Sequence, residues 1–556
     1  MTYHRRDFLK TAALGGAALA IAPGALAAPT VLTRRRTRLN TAAGTLRFRP
    51  TFVQRGVGPH LLDWAYATDH KWDAFLSNIT ASAAEGVQIS DTEGQERFGV
   101  DVRWNVEGFG YLFLTADNGG AHYALPPDGR TEELNLNVEL AKSRVMRNRR
   151  RLAQHAAEGY APSREVAGLL ALSDGFYEDA ERAADEARRA DFAQNALRYA
   201  LHAGEALELE KARHAIAQRG RRDFFIGCDA RSFYHMSPNR FLDQFEELFD
   251  YATVTYYLRT ATQGLSDFEP VEDGEEFDTR DVLVNRLRGR GITVEGRPLF
   301  WPYHSVTPDW LREKSYDDLR RYVERHVREV VGHYGDQMYA WEVVNEFHDW
   351  ANETQLTPDQ SVEITRLACE VAKDTAPNVG RLINNCCPFA EYVQLKKWGN
   401  LDALYPQRTP WEFMRDLVDA GVDFTITGQQ MYFPYRDLQD TVMLVERMAD
   451  FGRPVQLTEV GASSGPTKRS VFDGSLDFPT EPHIWRRPWD EELQADWMEG
   501  LYTLAYSKPW IEACNWYDFL DGQAWIKNGG VIRSPQGEKK AVFHRLAKLK
   551  QEWGLM

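Results

Sequence analysis

From Asp223 to the C-terminus the sequence alternates short apolar runs with amphipathic stretches, and few folds accommodate that order. Candidate strands fall at 224–228, 252–257, 298–301, 339–344, 381–384, 424–430, 455–457 and 513–516. They are short and rich in β-branched and aromatic residues. Between them, stretches such as 316–331, 360–373 and 438–450 place apolar residues at helical spacing. A strand–helix unit repeated eight times predicts an α/β fold with parallel strands, a (β/α)8 TIM barrel over 223–556. An open doubly wound sheet would call for a Gly-rich phosphate loop after an early strand, and the sequence carries none.

The chain has 556 residues, more than one core usually serves. In 97–106, Phe98, Val100, Val102, Trp104 and Val106 share one parity. An apolar stretch at 111–115 leads into the turn Asp117-Asn118-Gly119-Gly120, and Leu134, Leu136, Val138 and Leu140 alternate again. Residues 28–143 are therefore expected to form a small antiparallel β-sandwich. Residues 144–222 are rich in Ala, Glu and Arg, with Phe192, Leu197, Leu201 and Leu207 near helical spacing. They read as a helical connecting segment, with Glu208 and Arg213 on a solvated face.

The first 27 residues read as an address. His4-Arg5-Arg6-Asp7-Phe8-Leu9-Lys10 is a twin-arginine pattern, followed by an apolar run at 11–23 and the small-residue pattern Ala25-Leu26-Ala27. The apolar run is shorter than the roughly 20 residues a membrane-spanning helix needs, so an exported protein with its signal peptide removed is expected, periplasmic or extracellular, with no membrane contact afterwards. Lys and Arg number 66 against 81 Asp and Glu, a net charge of −15. That balance argues against nucleic acid as partner. Five cysteines cannot all pair within the chain, and Cys386-Cys387 is adjacent rather than C-x-x-C, so no zinc spacing is present. Cysteines as small buried apolar residues are expected.

Chemistry in a barrel is carried at the C-terminal ends of its strands. Two carboxylates stand there. Trp341-Glu342-Val343-Val344-Asn345-Glu346 closes the fourth candidate strand and Val455-Gln456-Leu457-Thr458-Glu459 the seventh, each followed by a loop. Alone, either motif is a common strand ending; as an ordered pair in an exported barrel they suit glycosidic bond cleavage, which needs two carboxyl groups flanking the bond. His-x-His or Asp clusters of a metal-dependent hydrolase are missing from the sequence, so no metal or cofactor is expected. Both carboxylates are present, which weighs against a non-catalytic sugar-binding barrel.

These motifs resemble those of glycoside hydrolase family 10, the β-1,4-xylanase family. The segment at 341–346 is similar to its W-D-V-V-N-E and Leu457-Thr458-Glu459 to its I-T-E, 113 residues further on (459 against 346). Residues 296–310 resemble G-H-x-L-x-W-H…P-x-W; Trp516-Tyr517-Asp518-Phe519-Leu520-Asp521 with Ala524-Trp525 resembles W-G-x-x-D…S-W; Lys539-Lys540-Ala541-Val542-Phe543 resembles the closing K-P-A-Y. The likeness runs from about Asp223 to the C-terminus. It implies a retaining hydrolase of xylan-type polysaccharide, with Glu346 as acid/base and Glu459 as nucleophile, the two about 5–5.5 Å apart. Asn345 then corresponds to the residue that hydrogen-bonds the sugar 2-hydroxyl. Gln430 and Tyr432 are candidates to orient Glu459, and Trp301, Trp516 and Trp525 candidate stacking walls. The β-sandwich is then either a carbohydrate-binding module or packing for the barrel.

The sequence also departs from the family. T-x-E-N-x-x-K appears as Thr253-Val254-Thr255-Tyr256-Tyr257-Leu258-Arg259, and Arg297 stands in place of the His of G-H-x-L. His304 lies in a stretch with two extra residues. Gly428-Gln429-Gln430-Met431-Tyr432 puts Tyr where the family's G-x-Q-x-H has a His beside the nucleophile, and N-D-Y-N reads Asn384-Asn385-Cys386-Cys387. Arg259, Arg297 and His304 thus join the candidate substrate-binding residues, and a different β-glycan or decorated oligosaccharide is the alternative substrate.

Overall fold

The computed structural model describes residues 44–53, 64–221, 223–260, 265–398, 401–432, 436–465 and 484–555. The expected twin-arginine leader, residues 1–27, lies outside them. No helix among the described residues is long and apolar enough to cross a membrane.

The N-terminal strands form two sheets. One has the order Asn78–Ser82, Gly86–Asp91, Thr45–Arg49, Thr131–Asn135, the other Arg487–Pro488, Ile484–Trp485, Gly110–Ala116, Gly99–Val106, Ala65–Thr68, Ala74–Phe75. The expected sandwich is corrected in three respects. Thr45–Arg49 pairs parallel with Thr131–Asn135. The larger sheet takes two strands from the C-terminal half, with Trp485 opposite Gly110. Only glycine serves at that join: φ is +112° and a Cβ would sit 2.4 Å from the Ile484 carbonyl oxygen. Finally, the alternation at 134–140 is not a strand. Asn135 caps a helix, α1 (Leu136–Ala157), its side chain accepting from the Val138 N–H at 3.2 Å. Leu136 and Leu140 are four apart, so period two and the helical period coincide over these few residues.

Two further helices follow, α2 (Arg164–Arg182) and α3 (Glu186–Gln218). Leu197, Leu201 and Leu207 are buried in α3 as expected. Glu208 is not on a solvated face: it is buried and paired with Arg151 through two 2.7 Å contacts. These helices are tied to the barrel by buried ion pairs, Arg144 to Asp437 (2.7 Å) and Asp440 (3.0 Å), and Arg151 to Glu446 (2.8 Å). Apolar residues from Leu46 to Leu549 form one continuous core that runs from the sheets and helices into the barrel; the helices add a small cluster of their own, Tyr160, Val166, Leu170, Ala203 and Leu207.

The barrel itself closes with strands in chain order, all parallel: β1 (Phe225–Asp229), β2 (Tyr251–Thr255), β3 (Thr293–Arg297), β4 (Ala340–Asn345), β5 (Gly380–Asn385), β6 (Ile426–Tyr432), β7 (Val455–Gly461) and β8 (Ile511–Trp516). Helices α4 (Pro238–Leu248), α5 (Asp278–Gly289), α6 (Tyr316–Tyr334), α7 (Pro358–Thr375), α8 (Pro410–Asp419), α9 (Leu438–Met448) and α10 (Glu491–Ser507) join successive strands, and α11 (Ala541–Trp553) follows the last. Capping boxes at Thr357 and Thr409 start α7 and α8. Seven strands fall where the sequence places them. The third is Thr293–Arg297 rather than 298–301; its Glu295, Gly296 and Arg297 look unlike a strand, but they point into a polar barrel interior or need closeness. A Cβ on Gly296 would lie 2.1 Å from the Trp341 ring.

Candidate active site

Irregularities in strand pairing fall just where the two carboxylates leave the sheet. Between β4 and β5 the register slips between Glu342 and Val344, and between β6 and β7 the slip makes Gln430 the partner of Glu459. Such bulges re-aim side chains. Glu346 then takes a left-handed backbone, φ +51°, while its N–H donates to the Asn384 carbonyl at 2.9 Å. A non-glycine residue seldom accepts that conformation; here it turns the chain out of β4 with its backbone still bonded to β5.

The two carboxylates meet different neighbours. Glu459 Oε1 is ion-paired with Arg297 Nη2 (2.9 Å) and accepts from Asn384 Nδ2 (3.0 Å), and Oε2 accepts from the Tyr432 hydroxyl (2.6 Å). One cation and two neutral donors thus surround it. Glu346 accepts only neutral donors, Gln430 Nε2 at 2.9 Å and Trp301 Nε1 at 3.1 Å. Burial, then the charge of Glu459, push its carboxyl up to about 8. Gln430 connects the pair: it faces Glu459 in the strand register and donates to Glu346. It also lies 3.4 Å from Asn345 Oδ1.

Behind this pair the barrel interior holds more carboxyls than cations. Glu342 shares the Asn384 amide with Glu459, at 2.9 Å, and burial raises its carboxyl well above the ordinary range. Glu295, bonded to the Tyr251 hydroxyl, is pushed up to about 7 by burial. Arg297 lies among them, also touching Tyr257 and Tyr517 hydroxyls (3.2 and 3.4 Å). One guanidinium cannot neutralise every carboxyl, so the interior keeps protons on some of them.

The structure brings Glu346, Glu459, Asn345, Gln430, Tyr432, Arg297 and Trp301 together. Trp301 is half-buried and stacks on Tyr303 (centroids 5.1 Å, 9°), which touches His304 at 4.2 Å. Half-buried Trp525 lies 4.8 Å from the Tyr432 ring. Trp516 is corrected: fully buried, its Nε1 donates to Gly529 O at 2.9 Å and no face is left for a sugar. Arg259 is exposed and lies outside the cluster around the two carboxylates. Sequence reasoning missed Asn384, Glu342, Tyr257, Tyr517 and Tyr303; position at a strand's C-terminal end was a usable signal for Asn384 alone. Trp64 and Tyr66 of the N-terminal sheet belong with Tyr432 and Trp525 to one apolar cluster, so that sheet reaches the rim of the site.

Among the described residues one group has the spacing to hold a metal, Glu269, Glu275 and His326. It lies outside the barrel, and Arg325 already supplies positive charge to both carboxylates at 3.0 and 2.9 Å.

An eight-stranded barrel carrying two strand-end carboxylates in opposed environments has the layout of a glycosidase. The family described as glycosyl hydrolase family 10 matches residues 263–548, just over half of the sequence, and the chain belongs to that family. It is 35% identical over 294 residues to endo-1,4-beta-xylanase B of Paenibacillus barcinonensis, covering 49% of this chain and 80% of that protein. Similarity to a beta-1,4-xylanase of Dictyoglomus thermophilum is 27% over 265 residues, 45% of this chain and 67% of that one. Native xylanase 10B from Thermotoga maritima superposes with a TM-score of 0.46 at 17% identity, covering 63% of this chain and 99% of its own.

Proposed function

We propose that this glycosidase cleaves β-1,4-linked xylan-type polysaccharide with retention of anomeric configuration, by double displacement. Glu459 attacks the anomeric carbon while Glu346 donates its proton to the leaving oxygen. A covalent glycosyl-enzyme forms, and Glu346, now ionised, takes a proton from the water that releases it. The observation that carries this reading is the split between the two carboxyls: one held by Arg297, Tyr432 and Asn384, the other kept protonated to about pH 8. Asn345, next to Glu346 and 3.4 Å from Gln430, takes the sugar 2-hydroxyl in this reading, a contact that strengthens in the transition state. Trp301 and Trp525 offer ring faces, with His304 further out along the Tyr303 stack.

Xylan as substrate rests on the xylanases the chain resembles. A decorated or different β-glycan is the second reading, favoured by Arg297 and Tyr432 in place of the family's histidines. Hydrolysis of a panel of β-glycans by wild type, Glu346→Gln and Glu459→Gln tests both. Activity surviving undiminished in either variant contradicts the assignment. The leader supports export by the twin-arginine route to the periplasm or beyond; replacing Arg5 and Arg6 with Lys should hold the protein inside the cell.

A further inference from the structure

Three cysteines, Cys228, Cys369 and Cys514, are buried apolar fillers. Cys386 and Cys387 differ in place and in company. They come directly after β5, two and three positions beyond Asn384, whose amide holds Glu459. Their sulfurs lie 3.4 Å apart. Cys387 has φ +43°, a conformation a side chain seldom adopts. It is half-buried, in the apolar cluster that Tyr432 and Trp525 also join.

His348 fixes Cys386. Burial lowers this imidazole to about 3, so the ring is neutral. The single Tyr392 hydroxyl proton is directed to the backbone oxygens of Arg408 and His348, so His348 Nδ1, 2.9 Å away, carries the ring proton and donates to the hydroxyl oxygen. Nε2 is left to accept the Cys386 N–H at 3.1 Å, with Cys386 Sγ at 3.5 Å from the same nitrogen.

We propose that Cys386 and Cys387 are an oxidative modification site: they close to a vicinal disulfide at the barrel mouth and thereby set the rigidity of the strand end that holds Glu459. The oxidant is a small-molecule disulfide of the glutathione class. The more accessible Cys387 thiolate attacks one of its sulfurs, forming a mixed disulfide and expelling one thiol. Cys386 sulfur then attacks Cys387 sulfur; the mixed bond breaks, and the second thiol leaves with the Cys386 proton. Two protein thiols are oxidised and one disulfide is reduced to two thiols. Adjacent Cα atoms are about 3.8 Å apart, closer than the roughly 4.4–6.8 Å of ordinary disulfides. The bond is therefore strained and readily reduced, the property of labile rather than structural disulfides.

The test uses the full-length folded enzyme, equilibrated in mixtures of oxidised and reduced glutathione, quenched with an alkylating agent and read by peptide mass. The peptide carrying both cysteines should become lighter by two hydrogens and take up no alkyl group, and dithiothreitol should reverse this. The reduced enzyme should show a lower kcat/KM, by up to roughly 100-fold, the scale of loss when a reacting group is misplaced by about 1 Å. Cys387→Ser and Cys386→Ala should lose both the lighter peptide and the response to reductant; if either fails to fold, wild type decides alone. Two alkylated thiols after oxidation, or a glutathione adduct that stops on Cys387, overturns the proposal. Equal kcat/KM in both redox states overturns the link to the catalytic strand.

Discussion

An acid that must give a proton and later take it back works best when its pKa lies near the working pH. Glu346 reaches that range because it is buried beside Glu459 and is offered only neutral hydrogen-bond donors. Activity requires its protonated form, so kcat/KM should hold through neutral pH and fall about tenfold per unit above about 8. A pH–rate profile already falling from near the ordinary glutamate value would contradict this. Tyr432→Phe removes the donor to Glu459 Oε2; a hydrogen bond to a charge is worth about 1.5–3 kcal/mol, so kcat/KM should drop roughly 10- to 100-fold, read with the thermal midpoint little changed. At this scale the two glutamates were legible because a carboxylate closing a barrel strand is a positional signal. Tyr432 was legible as a candidate to orient Glu459, and Arg297 as a departure from the family given to substrate rather than to Glu459. Asn384 carried the same positional signal unread, while Glu342 and the tyrosines around Arg297 carried none, since their parts depend on contacts between strands far apart in the chain.

Elements were legible where period and composition agreed, and missed where the barrel's polar interior or a cap overrode them. β3 carries Glu295 and Arg297 inside the barrel and so lacks a strand's apolar look. α1 begins at Leu136 because Asn135 caps it. α1 also carries a prediction. Arg144 is bidentate to Asp437 and reaches Asp440, all three buried. Arg144→Met leaves buried Asp437 without its cation, while Asp440 keeps Arg147 and Arg436; the uncompensated carboxylate should cost about 3–5 kcal/mol. The exposed Arg182–Glu178 pair on α2 is the control: Arg182→Ala should change stability by no more than about 1 kcal/mol. Urea unfolding followed by tryptophan fluorescence separates the two, and equal midpoints would count against the buried pair.

For the molecule as a whole, the sequence suggested a small sandwich, either a carbohydrate-binding module or packing for the barrel, because alternation within 97–106 is all a local reading sees. The fold places that strand in a sheet completed by Ile484–Trp485, over a core continuous with the barrel. Residues 223–556 expressed alone should therefore fail to give a soluble, cooperatively melting protein, with Asp437 and Glu446 stripped of their arginines and Asp440 left with Arg436 alone. A stable, active barrel without residues 28–222 would show that the N-terminal part is an appended module after all.

The chemistry as a whole stands on Glu459 bonding to sugar while Glu346 moves the proton. The anomeric form of the first sugar released from a β-1,4-xylooligosaccharide, followed by proton NMR before mutarotation, tests that most directly. Two displacements at one carbon should return the β-anomer. An α-anomer as the first product would mean a single displacement by water, with Glu459 as base and not nucleophile.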